Sequence, residues 1–368
     1  MKKKILKNME WSILICCILL LAIGMVALFS ATHNTEYDEL KKQIQWVTIS
    51  IPIMIFLIII DYNILVKISP FIYGIGIIAL IAVLFTEDIN GATSWFQLGS
   101  FSIQPAEFAK IFSVLLFAYV IVKFQKRGRE EINKFWKLGV SILVMAVPVA
   151  LIIMQPDYGT AGAFLFAIAF VLFIAGIKAR YIIACALIIV IAVPLLYFYV
   201  LPEHAKQRID IFLNPESDAR GAGYNIIQSK LAIGAGQLWG MGILKGNQTQ
   251  LGYLYPKTTD FIFSVIGEEM GFIASSAVII LYVIIITKII YIAKTAKDDT
   301  GSYIAMGIAG IFAFHMIENI GMTMGLLPIT GIPLPFVSYG GSSMLTNFAC
   351  IGILLSISGR RQKSIFVE

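Results

Sequence analysis

The sequence predicts an all-α integral membrane protein of about ten transmembrane helices. Hydrophobic residues make up 58% of the 368-residue chain and charged residues only 14%, with a mean hydropathy of +0.85. A soluble chain of this length could not hide that much apolar surface in one core, so the solvent must be lipid. The apolar residues also come in runs long enough to cross a bilayer, and the cations collect in alternate gaps between those runs.

The runs lie at roughly 11–30, 44–60, 68–86, 106–122, 138–154, 158–176, 181–200, 261–287, 303–326 and 343–358. The first follows Lys2, Lys3, Lys4 and Lys7, lacks a small-x-small cleavage signal and is long enough to span, so it reads as a retained signal anchor. With the N-terminus inside, the cytoplasmic pieces collect 19 of the 28 lysines and arginines, including Lys123, Lys126, Arg127, Arg129, Lys134 and Lys137. Both termini are therefore expected in the cytoplasm. The net charge of +6 marks sidedness, and no nucleic acid is expected as a partner.

The outer side holds an acidic loop near Glu36, Asp38 and Glu39, a loop over 87–104, and a Pro/Gly-rich turn from Leu327 to Gly341. It also holds one long polar segment, 201–260, between the seventh and eighth spans. No repeat, low-complexity tract or soluble domain interrupts the chain, so residues 1–368 read as a single polytopic membrane domain whose long extracytoplasmic loop carries the chemistry. Within that loop, Tyr224–Ile233 suits a short helix lying in the membrane interface, with Ile226, Ile227, Leu231 and Ile233 on one face. Cys16, Cys17, Cys185 and Cys350 fall in apolar runs without metal-ligand or disulfide spacing and read as packing residues.

Four groups of polar residues could carry chemistry. Glu107 and Lys110 are three apart at the start of the fourth span, so they share a helix face and can neutralise each other, either as a structural pair or as a substrate contact. Asp157, between two spans, is placed to cap the sixth helix. Asp260 ends the polar segment in Thr258-Thr259-Asp260 directly before an apolar run; a cap is the plainer account, and a carboxylate placed to take a proton from a substrate hydroxyl is the functional one. The long loop supplies Lys206, Arg208, Arg220, Lys230, Lys245 and Lys257, which can meet either lipid head groups or a diphosphate. Its glycines match no nucleotide-binding fingerprint. From the residues alone, transporter and membrane enzyme fit equally well.

Several strings resemble the SEDS family of cell-wall proteins (shape, elongation, division and sporulation). They are Gln104-Pro105-Ala106-Glu107-Phe108-Ala109-Lys110, Gln155-Pro156-Asp157-Tyr158-Gly159 and Gly223-Tyr224-Asn225-Ile226-Ile227-Gln228-Ser229-Lys230, followed by Thr259-Asp260-Phe261-Ile262-Phe263 and Gly331-Ile332-Pro333-Leu334-Pro335-Phe336-Val337-Ser338-Tyr339-Gly340-Gly341. They occur in the family's order along the chain. The resemblance implies a glycosyltransferase that polymerises lipid II, the undecaprenyl-diphosphate disaccharide-pentapeptide, at the outer face of the bacterial cytoplasmic membrane. It implies Asp260 as the essential catalytic aspartate, and Arg208, Gln228, Ser229, Lys230, Glu107 and Lys110 as substrate-binding positions.

The stretch Asn214–Asp218 and the Gly331-Ile332-Pro333 turn are similar to the elongation (RodA) branch, against the division and sporulation branches. The resemblance further implies a class B penicillin-binding protein as transpeptidase partner. No protein metal cage is visible, so a Mg or Mn ion is expected only with the substrate diphosphate. Two departures stand out: Thr258 takes the place of a usual histidine, and Gly240-Met241-Gly242 that of a Gly-Lys-Gly, which puts more weight on Arg208 and Lys230.

Overall fold

The computed structural model describes residues 6–87, 93–99, 101–184, 187, 198–199, 206, 210–218 and 221–361. Its transmembrane helices are α1 (Trp11–Ala31), α2 (Asp38–Ile59), α3 (Tyr62–Val83), α4 (Pro105–Phe124), α5 (Phe135–Met154), α6 (Tyr158–Ala175), α8 (Ile262–Thr295), α9 (Asp299–Thr323) and α10 (Gly341–Gly359). These are the nine helices among the described residues that are long and apolar enough to cross a bilayer. The span expected at 181–200 lies largely outside the described residues. A shorter helix, α7 (Ala222–Ala235), lies within the long loop, and an antiparallel hairpin of β1 (Phe96–Leu98) and β2 (Phe101–Ile103) precedes α4.

Local chemistry sets the helix ends. Asp61, Asp157 and Asp298 each accept a backbone N–H at the start of α3, α6 and α9, at 2.9, 2.9 and 2.8 Å. The cap expected of Asp157 is therefore present. Pro105 occupies the first turn of α4, where its missing N–H costs nothing. At one end of the bundle Glu10 meets Lys288 at 3.0 Å and Arg361 at 3.3 Å, which brings the two described chain ends together.

The bundle is layered by burial. Of the apolar windows of α9 and α10, 83% is buried against protein, compared with 22% for α2 and α3. α9 and α10 therefore form the centre, and the outer helices turn Ile44, Phe56, Phe71 and Ile78 to lipid.

The apolar run at 261–287 folds as one long element with a break. Gly271 has φ 74° and ψ −170°, a conformation closed to L side chains, and interrupts α8 near its N-terminal end. Each backbone group freed there in an apolar setting would cost about 2–7 kcal/mol unmet. The segment following α7 meets them: Met241 and Gly242 donate to the carbonyls of Glu268 and Glu269 at 2.9 and 3.0 Å, and the N–H of Phe272 donates to Gln237 at 2.8 Å.

The short helix expected over 224–233 is present as α7, but its expected apolar face is divided. Its buried stripe is Ile226, Ser229 and Ala232, packed on α8 and α9, while Leu231 is 52% exposed. The helix docks on protein through a face that contains a serine.

Candidate active site

Asp260 stands one residue before the N-cap position of α8, which is Phe261. The backbone around it is tied to two other segments. Thr258 O accepts from the N–H of Tyr339 at 2.9 Å, and Thr259 O from the Ser338 hydroxyl at 2.6 Å. The carbonyl of Asp260 itself accepts from Asn319 Nδ2 at 3.0 Å. Asn319, on α9, also donates to Ile332 O at 2.8 Å, so one side chain holds Asp260 and the Leu327–Gly341 turn in register.

The Asp260 side chain lies over Gly331, where a Cβ would come within 3.4 Å of Oδ2. Gly331 has φ +76° and is exposed. The carboxylate thus sits half-buried at one rim of the bundle, over a residue without a side chain.

Glu107 and Lys110 lie deeper. They are 2% and 3% exposed and form an ion pair at 2.7 Å. The second oxygen of Glu107 accepts from Thr346 of α10 at 2.9 Å, and Lys110 Nζ also lies 2.9 Å from Nε2 of His315 on α9. The other ring nitrogen of His315 lies 2.9 Å from Pro333 O, in the turn that also supports Asp260. The pair expected from the i, i+3 spacing is present, and the structure connects it to the Asp260 turn through α9. Breaking such a buried pair by removing one member costs about 3–5 kcal/mol.

The other expected positions fall differently. Ser229 is fully buried, and its hydroxyl is engaged with Ser264 and Thr323 O, each at 2.6 Å, so it fastens α7 to α8 and α9. Gln228 is half-buried beside it. Lys230 is exposed, with its aliphatic stem against Gly325 at the end of α9. Arg208 lies outside the described residues.

Glu268 and Glu269, on the short piece of α8 before Gly271, are engaged by the 246–250 segment. Glu268 accepts from the N–H groups of Gln248 and Thr249 at 2.7 and 3.0 Å and from the Thr249 hydroxyl at 2.6 Å. Glu269 accepts from Gln250 Nε2 at 2.9 Å. Lys257 Nζ donates to Thr249 O at 2.8 Å, and burial holds its ammonium below the usual lysine range. Asp157 also accepts from Gln104 Nε2 at 2.8 Å, and burial holds its carboxyl above the ordinary aspartate value.

Sequence reasoning missed His315, Glu318 and Asn319. Glu318 is 6% exposed and accepts from the Thr330 hydroxyl at 2.8 Å, on the same turn. The signal was present as three polar residues at i, i+3 and i+4 on one face of an otherwise apolar span.

A sequence model of the cell cycle protein family that unites FtsW, RodA and SpoVE matches residues 10–363, nearly the whole chain. The chain belongs to this family. It is similar to the peptidoglycan glycosyltransferase MrdB of Escherichia coli strain K12, at 34% identity over 96% of this chain and 95% of that protein. Stage V sporulation protein E of Bacillus subtilis strain 168 is likewise 34% identical, over 94% of this chain and 96% of that one. Among solved structures it resembles a chain of a peptidoglycan synthase complex that coordinates polymerization and crosslinking, with a TM-score of 0.83, 27% identity and coverage of 95% and 97%. As a member of this family the chain is a multi-pass membrane glycosyltransferase.

Proposed function

We propose that this protein polymerises lipid II into glycan strands at the outer membrane face, with Asp260 as general base. The carrying observation is the placement of Asp260: a half-buried carboxylate at the rim, over Gly331, on backbone held by Asn319, Ser338 and Tyr339. A base must meet a hydroxyl without moving, and anchoring on both sides supplies that rigidity.

In the reaction, the 4-hydroxyl of an acceptor GlcNAc attacks the anomeric carbon of a donor MurNAc. The new C–O bond forms as the bond from that carbon to the diphosphate oxygen breaks, with inversion. The proton passes to Asp260, and undecaprenyl diphosphate leaves. The base lies opposite the leaving group, as in inverting sugar chemistry, and contributes about 10²- to 10⁴-fold in rate. Lys230, exposed at the end of α9, and Arg208 supply positive charge for the diphosphate; a Mg or Mn ion arrives as part of the substrate.

On this reading the polar segment 201–260 is the extracytoplasmic loop that carries the chemistry of a single membrane domain. The resemblance of the stretch Asn214–Asp218 and the Gly331-Ile332-Pro333 turn supports the elongation role; the two relatives above share the same identity and do not separate the branches. A class B penicillin-binding protein is the proposed transpeptidase partner, supported by the likeness to a chain of a synthase complex.

The test uses proteoliposomes containing labelled lipid II. The polymerase reading expects glycan strands and released undecaprenyl diphosphate, more of both with the partner present. Movement of intact lipid II across the bilayer without its consumption would instead establish a flippase.

A further inference from the structure

We infer that His315 is a positioning residue of this transfer reaction, linking the Glu107–Lys110 ion pair of α4 to the Pro333 carbonyl and so fixing the turn on which Asp260 rests. The inference builds on the lipid II polymerase reading. Its first support is the continuity of the bonds. Thr346 donates to Glu107, Lys110 bridges Glu107 and His315, and His315 reaches Pro333 O, with every link between 2.7 and 2.9 Å.

The chemistry of these atoms fixes the state of the ring. A carbonyl oxygen can only accept, so the hydrogen must sit on Nδ1, facing Pro333. Nε2 then carries a lone pair and accepts from the Lys110 ammonium. His315 is therefore one neutral tautomer, and reversing it would break both bonds. The ammonium polarises the ring toward a better Nδ1 donor, so the charge on α4 strengthens the grip on the turn.

The second support is register. His315 and Asn319 lie four residues apart on one face of α9 and hold successive carbonyls, Pro333 O and Ile332 O. Asn319 holds Asp260 O as well, and the Asp260 carboxylate rests over Gly331, the next residue along the turn. Displacing Pro333 thus displaces the surface under the base.

Burial decides between touching substrate and acting through the turn. His315 is 2% exposed, and Glu107 and Lys110 are 2% and 3% exposed, with their polar atoms already occupied. The pair read from the sequence as a substrate contact acts here through a neighbour.

The test measures lipid II polymerisation by purified full-length His315→Leu, His315→Asn and His315→Gln, with thermal melting of each in the same detergent. His315→Leu is expected to lose about 100-fold in kcat, with KM within about threefold of wild type. His315→Asn, whose amide N–H can replace Nδ1, should recover to within about tenfold of wild type, while His315→Gln, which reaches Lys110 in place of Nε2, should stay with the leucine variant. Adding Lys110→Met to His315→Leu should lower kcat no further.

A raised KM at unchanged kcat in the leucine variant, equal kcat for the Asn and Gln variants, or additive losses would each overturn the inference. Losses that track melting temperature across all three variants would reduce His315 to a packing residue and overturn it too. Wild type and Asp260→Asn serve as controls: wild type that makes no polymer refutes the polymerase reading, whereas active wild type with fully active His315 variants refutes this inference alone.

Discussion

Two sets of buried carboxylates in this bundle are satisfied in opposite ways. Glu268 and Glu269, on α8, accept chiefly from neutral donors in the 246–250 segment and latch the loop to the break at Gly271. Glu107, on α4, is balanced by a lysine that leads on to His315 and the Asp260 turn. A carboxylate that ends on backbone N–H groups closes its own network, while one balanced by a cation passes its influence to whatever else the cation touches. The first set keeps the loop folded. By the inference above, the second sets the geometry of the transfer reaction.

The largest effect expected of that difference is on turnover. Beyond the stability lost with the buried pair, Lys110→Met should lower kcat per folded molecule by about 100-fold while KM for lipid II moves less than about threefold, because the turn shifts but no substrate contact is lost. A kinetic series on purified protein checks this, and a KM effect would place the ammonium against substrate.

Glu268→Ala should act on stability and spare the chemistry. Three hydrogen bonds end on this carboxylate, and stranding their donors costs about 1–3 kcal/mol for each unsatisfied group. The melting temperature in detergent should fall, with kcat per folded molecule near wild type. A loss of kcat in fully folded protein would erase the distinction between the two sets.

Gly271→Ala tests the break itself. Alanine cannot adopt the Gly271 backbone without strain, and its Cβ would meet the backbone of Trp239 and Gly240. A destabilisation of about 1–3 kcal/mol is expected, read by thermal melting.

The smallest effect concerns Asp157. Burial raises its folded pKa, so the folded protein keeps a proton that the unfolded chain releases near its ordinary value of about 3.9. Its contribution to stability is fully present below that value and is lost as pH rises through the folded pKa. Wild type should therefore lose stability relative to Asp157→Asn as pH is raised through that window, in paired melts across pH.

Much of this was legible in the sequence, and the rest was hidden for identifiable reasons. Run lengths gave the nine spans among the described residues, because a helix must be apolar along its whole length to cross lipid. The i, i+3 spacing of Glu107 and Lys110 gave their pairing directly. Their further partners could not be read, since His315 is 205 residues from Lys110 and Thr346 is 239 from Glu107. The break at Gly271 left only a glycine in an apolar run, because what stabilises it comes from residues 237–242. Ser229 was expected at the site from the resemblance alone; that its hydroxyl is buried with two partners could not be read, because periodicity shows two faces of a helix without saying which docks. For Asp260 the plain reading was a cap; the structure puts Phe261 at that position instead.

The measurement that bears most directly on the central claim is glycan polymerisation from purified lipid II by Asp260→Asn beside wild type, with both confirmed folded by melting. The carboxamide keeps the shape and removes the base, so the account predicts strands from wild type and a rate lower by at least about 100-fold from the variant. Strands made by Asp260→Asn at the wild-type rate would contradict it.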